Sequence, residues 1–459
     1  MNTPPGSPSQ RRRTRIAGIT FSHPTQAIVL GFAATILAAT LVLMMPFASR
    51  ADGGTSFLTA LFTATSAVCV TGLSVVDTKH YWSGGGHVVL LLLIQLGGLG
   101  IMTLASMLAM VFSRRVRLHG RLATLSETGV LELGELRRVL KAVVALTVGF
   151  EAAIAVVLSL RFWITYDESL GRALWLGLFH SVSSWNNAGF SLFSDSLMGF
   201  ATDPLMLVPI AIAVIGGGLG FPVMLDLRRH GRQPKTWSLH TKLTLATTGT
   251  LFIAGAVLII WFEWTNPATM GDMPVAHKML NGSFSSVMPR TAGFNSIDLA
   301  QVEQPTSLVH MFLMFVGGGS ASTAGGAKVT TLALLFLIVV AEARGNQDTI
   351  AFGRRISETA QRQAVSVTVL SAAAVGVALI ALLALAEGPA ADVMFEAFSA
   401  FGTVGLSTGL TPSLDGLGQF IIISLMFLGR LGPLTLGTAL LFNTRERLFR
   451  FPEDRPMIG

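Results

Sequence analysis

Apolar residues run along this chain in long unbroken stretches joined by short polar or basic connections, and the stretches come in two lengths. Eight of them, 27–48, 88–112, 139–160, 205–225, 243–261, 308–340, 364–385 and 420–442, approach or exceed the roughly 20 residues a membrane-crossing helix needs. Between the members of each pair lies a half-apolar segment of nine to fourteen residues: 57–68, 173–185, 275–288 and 393–401. That length is too short to span and predicts a re-entrant helix. The sixth long stretch is too long for one span and is interrupted by small residues from Gly317 to Gly326, which predicts a broken helix.

The short segments end alike. The four endings are Val70-Thr71-Gly72-Leu73, Asn187-Ala188-Gly189-Phe190, Thr291-Ala292-Gly293-Phe294 and Thr403-Val404-Gly405-Leu406. Their glycines lie 117, 104 and 112 residues apart. A small polar residue follows each: Ser74, Ser191, Asn295 and Ser407. Phe62, Phe179 and Phe395 stand ten residues before the glycine in three repeats, while the third has Ser283 with Phe284 beside it. Asp77, Asp195 and Asp298 follow at similar offsets, and the fourth repeat departs with Thr408-Gly409. Recurrence at near-equal spacing between spans predicts four tandem units of span, re-entrant helix, glycine loop and span. The fold class is therefore an all-α polytopic membrane protein, with eight spans in pseudo-fourfold array around a central pore. The chain divides into a disordered basic N-terminus (1–26), repeat 1 (27–112), a connecting helix (113–138), repeat 2 (139–227), repeat 3 (241–341), repeat 4 (364–442) and a tail (443–459).

Composition supports the class. Half of the chain, 51%, is hydrophobic, only 12% is charged, and the mean hydropathy is +0.63. A soluble domain carries about 25% charged residues. The net charge of +7 is spent on topology: 24 of the 32 Lys and Arg fall in 11–15, 114–141, 228–242, 344–362 and 445–455. With eight spans, all five segments lie on one side, which the positive-inside rule makes cytoplasmic. Both termini then face the cytoplasm of a cell-membrane protein, and a nucleic-acid partner is excluded. The basic start precedes a run long enough to span, so no cleavable signal is expected. Residues 122–139 alternate apolar and charged positions at helical spacing and read as a helix on the inner face. Cys69 is the single cysteine, which excludes an internal disulfide and a Cys-built metal site. The nine histidines lack ligand spacing and read as mostly interfacial.

Backbone that is not helical at membrane depth is tolerated only where protein or a water-filled cavity satisfies it. Four such loops about one axis make a ring of carbonyls, which can replace the hydration shell of a cation. The carbonyls would come from Val70, Thr71 and Gly72, from Asn187, Ala188 and Gly189, from Thr291, Ala292 and Gly293, and from Thr403, Val404 and Gly405. Glycine is expected because one residue per loop must take a conformation that others avoid. Each preceding helix points its C-terminal end, with about half a negative charge, toward the pore. No acid occurs in the four endings, which suits potassium better than calcium or magnesium.

Below this ring, Gly317, Gly318, Gly319, Ser320, Thr323, Gly325 and Gly326 are expected to form an unwound, buried stretch ending at Lys328, which snorkels to the inner face. Arg430 lies inside an apolar span and is a functional hypothesis by position, with a structural partner for broken-span carbonyls as the plain alternative. Arg290 is expected to brace loop carbonyls. Glu396 reads equally as a cation attractor at the outer mouth or as a solvated helix face. Glu151 is a second acid near the membrane. An integral-membrane enzyme is disfavoured because the buried segments offer few ionisable groups and no paired ones. Alternating access usually rests on two repeats, often inverted, so four in one direction favour a fixed pore.

From 27 to 442 the chain resembles the Trk/Ktr/HKT superfamily of potassium transporters, and within it the Ktr-type membrane subunit. The resemblance rests on the four loop sequences, on Gly317-Gly318-Gly319-Ser320-Ala321-Ser322-Thr323-Ala324-Gly325-Gly326-Ala327-Lys328 and on Gly429-Arg430-Leu431-Gly432-Pro433. It implies potassium selectivity, since Gly72 stands where sodium-conducting members carry Ser. It also implies that 317–328 is an intramembrane gate loop, with Arg430 as a barrier beside it. A homodimer, sodium-stimulated uptake and a separate cytoplasmic ring of nucleotide-binding (KtrA-like) subunits, which would hold the ATP or ADP, are implied in the same way. No nucleotide-binding motif occurs in the chain itself. A Trk-type potassium or potassium/sodium subunit stays open as the alternative.

Overall fold

The structure, a computed structural model, describes residues 14–16, 19–21, 24–51, 53–100 and 129–432. Most of the expected disordered N-terminus, the first part of the connecting helix, the tail and the ends of the second and eighth predicted spans lie outside the described residues. Strands β1 (Thr14–Ile16) and β2 (Ile19–Phe21) pair antiparallel inside the segment read as disordered. Their β-branched and aromatic residues favour extended backbone.

Helices α1 (Pro24–Leu43), α2 (Phe57–Val68), α3 (Thr78–Tyr81) and α4 (Gly84–Gly100) form the first unit. The second holds α5 (Gly129–Thr165), α6 (Leu170–Trp185), α7 (Pro204–Leu219) and α8 (Phe221–His230). Helices α9 (Leu239–Glu263), α10 (Val275–Val287), α11 (Gln304–Phe315) and α12 (Val329–Ala343) make the third. A two-residue hairpin, β3 (Ile350–Ala351) and β4 (Arg354–Arg355), leads to α13 (Glu358–Leu385), α14 (Ala390–Gly402) and α15 (Gly416–Leu431). Starts follow local chemistry: Ser56, Ser238, Ser357 and Asp415 each accept an amide hydrogen bond from the third residue onward.

Helices α2, α6, α10 and α14 occupy the four short segments. Among the described residues, only α5 (over Leu140–Thr165), α9 and α13 are by themselves long and apolar enough to cross a membrane. Apolar side chains such as Ile253, Trp261, Phe336 and Ile380 stand exposed on their outer faces and on α12. The described part of the connecting helix, from Gly129, runs without a break into α5.

Two of the predicted spans are interrupted among the described residues, of which the sequence reading expected one. The span predicted over 205–225 bends by 97° between α7 and α8 at Gly220 (φ +93°, ψ 146°). Pro222 follows and has no amide to continue a helix. Helix α15 ends at Leu431, where Gly432 takes φ +82°, ψ 138°, again a region open only to glycine. A Cβ at Gly220 would also meet the Ser320 carbonyl oxygen at 2.6 Å. Gly220→Ala is therefore expected to cost about 1–3 kcal/mol and to lower the unfolding temperature in detergent by a few degrees, measured by scanning fluorimetry.

One apolar cluster holds the short helices against the long ones. Phe62, Phe179, Phe190 and Phe294 are fully buried within it, and Phe395 and Phe401 lie buried around the fourth loop. The phenylalanines ten residues before the loop glycines thus fix helices α2, α6 and α14; in the third repeat the buried ring is Phe284, while Ser283 is only partly covered.

Candidate functional site

Each short helix ends in a loop that turns on two left-handed residues. These are Val70 (φ +55°) and Gly72 (+93°), Asn187 (+59°) and Gly189 (+69°), Thr291 (+82°) and Gly293 (+68°), and Thr403 (+49°) and Gly405 (+93°). The sequence reading anticipated one strained residue per loop. The second, two places earlier, is never glycine, and for β-branched Val70, Thr291 and Thr403 it is an uncommon conformation.

The four glycines touch in a closed cycle. A Cβ on Gly72 would meet Ala188 O and the Gly189 Cα, and one on Gly189 would meet Ala292 O (2.7 Å) and the Gly293 Cα (2.8 Å). A Cβ on Gly293 would meet Val404 O (2.5 Å) and the Gly405 Cα (3.2 Å), and one on Gly405 would meet Thr71 O and the Gly72 Cα. Carbonyl oxygens of Thr71, Ala188, Ala292 and Val404 therefore converge on one constriction lined by glycine. The amides turn the other way: Thr71, Ala188 and Val404 donate to the carbonyls of Ser66 (2.7 Å), Ser183 (2.7 Å) and Ser399 (2.9 Å), and Ala292 donates to Met288 (3.0 Å). This backbone can surround a dehydrated cation with neutral oxygens.

On one side of the constriction lies a cavity of about 380 Å³, walled by all four glycines with Ser74, Asp77, Ser191, Asn295 and Ser407. Asp77 caps α3 by accepting from the Lys79 amide (2.8 Å) and pairs with His80 Nδ1 (2.9 Å). Partial burial raises its carboxyl, but hydrogen bonds from Ser194, His80 and the Lys79 and His80 amides outweigh that and hold it below the ordinary value. Asp195 and Asp298 instead accept from the amides of Gly199 (3.1 Å) and Ala300 (3.0 Å) in their own turns.

On the other side, residues 316–328 run without helix between α11 and α12, stitched by backbone to two other units. Gly317 N donates to Ala327 O (2.7 Å), Val329 N to Gly318 O (3.1 Å), Gly319 N to Gly218 O (2.8 Å) and Gly326 N to Gly429 O (3.2 Å). Ser320 and Thr330 pair through their hydroxyls (3.2 Å). The Thr323 hydroxyl lies 3.3 Å from the Asn187 amide, whose oxygen is oriented to accept from Thr291 (3.2 Å). Gly325 packs on the Thr403 side chain. The stretch thus lies directly against the start of the second and fourth loops. Arg430, buried on α15, donates from Nη1 to the Thr323 carbonyl and from Nη2 to the Gly97 carbonyl (3.0 Å). One guanidinium ties the first unit, the third unit's unwound stretch and the fourth.

Several side chains differ from expectation. The Lys328 ammonium, expected to reach the inner face, donates instead to the loop's own carbonyl at Ala324 (2.6 Å). Arg290 braces α9 through Thr248 O and Oγ1 (both 3.2 Å), not the third loop. Glu396 is buried, so the solvated-face reading is overturned; it accepts from Ser407, Thr408 N (3.2 Å) and Thr411 (2.6 Å) and locks the segment after the fourth loop. His180 sits at the equivalent position in the second unit and pairs with Ser191 (3.2 Å). With His87 and His310 it is buried, contrary to an interfacial reading. Glu151 is buried on α5 and accepts from Asn186 Nδ2 (3.0 Å) at the end of α6.

The sequence reading passed over Gly97 and Gly217 and used Gly429 only as part of the motif that carries the resemblance. Where each lacks a side chain it receives a carbonyl from the end of a short helix, of Val68, Trp185 and Phe401 respectively. Each of those donors of space stands four residues before its loop glycine. The signal was present as Gly97-Gly98-Leu99-Gly100, Gly217-Gly218-Leu219-Gly220 and Gly429-Arg430-Leu431-Gly432. Arg430 occupies the place that Gly98 and Gly218 hold in the other copies.

A family model described as TrkH, cation transport protein, matches residues 6–445. The chain is 39% identical to the Ktr system potassium uptake protein B of Bacillus subtilis, over 95% of this chain and 97% of that protein. It is 37% identical to the potassium/sodium uptake protein NtpJ of Enterococcus hirae, over 95% of this chain and 97% of the relative. The fold is like that of the crystal structure of the potassium transporter TrkH from Vibrio parahaemolyticus (TM-score 0.73, 19% identity, 91% of this chain and 84% of that one).

Proposed function

This chain belongs to the TrkH family of cation transport proteins, and from that premise we propose that it is the ion-conducting membrane subunit of a potassium uptake system. The observation that carries the reading is the closed cycle of Gly72, Gly189, Gly293 and Gly405, with a carbonyl from each loop turned to the constriction. A potassium ion sheds water in the outer cavity and is held by these oxygens, while the C-terminal ends of α2, α6, α10 and α14 supply negative potential without an ionised ligand. The four units, 27–112, 139–227, 241–341 and 364–442, form eight spans in pseudo-fourfold array, with both termini cytoplasmic.

The unwound stretch with Lys328 and Arg430 is the gate. Its hydrogen bonds to Gly218 and Gly429 support a closed plug under the loops, and moving it aside opens the path. The subunit works as a homodimer, is stimulated by sodium and is controlled by a cytoplasmic ring of subunits that bind ATP or ADP. The names of the relatives as parts of a Ktr system support such a partner. A potassium/sodium uptake protein is the second reading, favoured by the likeness to NtpJ.

The test is rubidium uptake into proteoliposomes holding the full chain. Saturable uptake that potassium suppresses and equal sodium does not is the expected result; equal suppression by both ions favours the second reading, and absence of flux rejects both.

A further inference from the structure

We infer that Ser66 and Ser399 are positioning residues for ion selection, holding the amide of the loop glycine away from the conduction path. The inference rests on the transport reading above and concerns residues outside the carbonyl ring.

Ser66 lies in the last turn of α2 and is fully buried. Its carbonyl takes the Thr71 amide (2.7 Å) and its hydroxyl takes the Gly72 amide (3.0 Å). Ser399 on α14, equally buried, repeats both bonds with Val404 N (2.9 Å) and Gly405 N (3.2 Å). Two successive amides are thus pinned on one residue behind the loop, which leaves the Thr71 and Val404 carbonyls facing the neighbouring glycines.

The other two loops are held differently. Ser183 has the corresponding place in the second unit, but its hydroxyl donates to the Phe190 carbonyl (2.8 Å). In the third unit the place belongs to Val287, and the loop is tied from outside, with Asn295 N donating to Ser196 Oγ (3.2 Å) and Leu197 N to Asn295 O (3.0 Å). The glycines divide in the same way. Gly72 and Gly405, whose amides are held by serine hydroxyls, both have φ +93°, whereas Gly189 and Gly293 have +69° and +68°. The ring is two-plus-two in its backbone, and the serine hydroxyl marks the division.

The physical consequence follows from the amide. Without the hydroxyl, a partly buried N–H has lost its acceptor, a state folded proteins avoid. The peptide relieves it by rotating toward water in the pore. That motion places the positive N–H end where a cation passes and withdraws a carbonyl, so the ring discriminates less between ions of different size.

Ser66→Ala and Ser399→Ala remove one oxygen each, and Ser286→Ala is the control, a pore-helix serine whose hydroxyl donates to Phe252 O (2.8 Å) on α9. Rubidium uptake and its suppression by potassium and by sodium are measured for the full chain in proteoliposomes. The expected result is retained uptake with a potassium-over-sodium preference lowered about fivefold in each of the first two and unchanged in the control. Wild-type preference in both variants overturns the inference. So does an equal fall in Ser286→Ala, or failure of both variants to purify as monodisperse protein, since either makes the hydroxyl a general packing element. Absence of flux in the wild-type protein overturns the transport reading instead.

Discussion

Gly72→Ser is expected to reduce potassium-over-sodium discrimination by at least about tenfold, equivalent to about 1.4 kcal/mol, while the protein still inserts and conducts. At φ +93° a side chain is strained, and its Cβ would lie on the Ala188 carbonyl. The backbone has only two responses. It turns the Ala188 carbonyl away, or it pushes the first and second loops apart. Either one removes an oxygen from the ring or widens it, and a wider, less complete ring leaves a place for the water that a smaller cation keeps. The contact is reciprocal around the cycle, so serine at Gly189, Gly293 or Gly405 is expected to act in the same direction. Gly84→Ser supplies the control, because nothing stands within 4 Å of a Cβ there. Rubidium uptake with potassium and sodium competition reads all five proteins, and unchanged preference in Gly72→Ser would remove the glycine cycle from the selectivity account.

Arg430→Ala is expected to raise basal flux by up to about 100-fold in the absence of any cytoplasmic partner. Two effects act together. A cation passing within about 5 Å of a guanidinium at an effective dielectric of about 20 meets roughly 3 kcal/mol of repulsion, and the variant abolishes it. The variant also strips the donors from the Thr323 and Gly97 carbonyls, which frees the unwound stretch from the first and fourth units. Arg430→Gln separates the two, since it keeps a donor without the charge and should give an intermediate flux. Flux at wild-type level in a monodisperse Arg430→Ala protein would take this residue out of the gate and leave it a structural tie.

Much of this arrangement was legible along the chain. The short helices were found because a half-apolar run of nine to fourteen residues between two longer ones has no other use in a bilayer. The loop glycines were found because they recur after those runs. The unwound stretch was legible because Gly, Ser and Ala in succession cannot hold a lipid-facing helix. The bend at Gly220 was missed since one glycine in an apolar run is compatible with a straight helix. What the folded protein adds is the carbonyl of Ser320, 100 residues away in sequence, on the side where a Cβ of Gly220 would stand. The left-handed conformation of Val70, Thr291 and Thr403 was not legible because β-branched side chains disfavour it; only closure of the loop onto its helix imposes it, while Asn187 is a residue type that takes it more readily.

Local composition by itself determined the helical membrane class, the four recurring loop endings and the residues that end each short helix, because burial in lipid selects apolar length and backbone geometry selects glycine. Which atoms meet was decided only in the folded protein. The carbonyl that fills each glycine's empty side comes from a different unit, Arg430 finds its acceptors in units one and three, and Glu396 is buried by a segment that follows it. Such contacts join positions far apart in the chain, and their geometry depends on how four units pack, which no stretch of any one of them encodes.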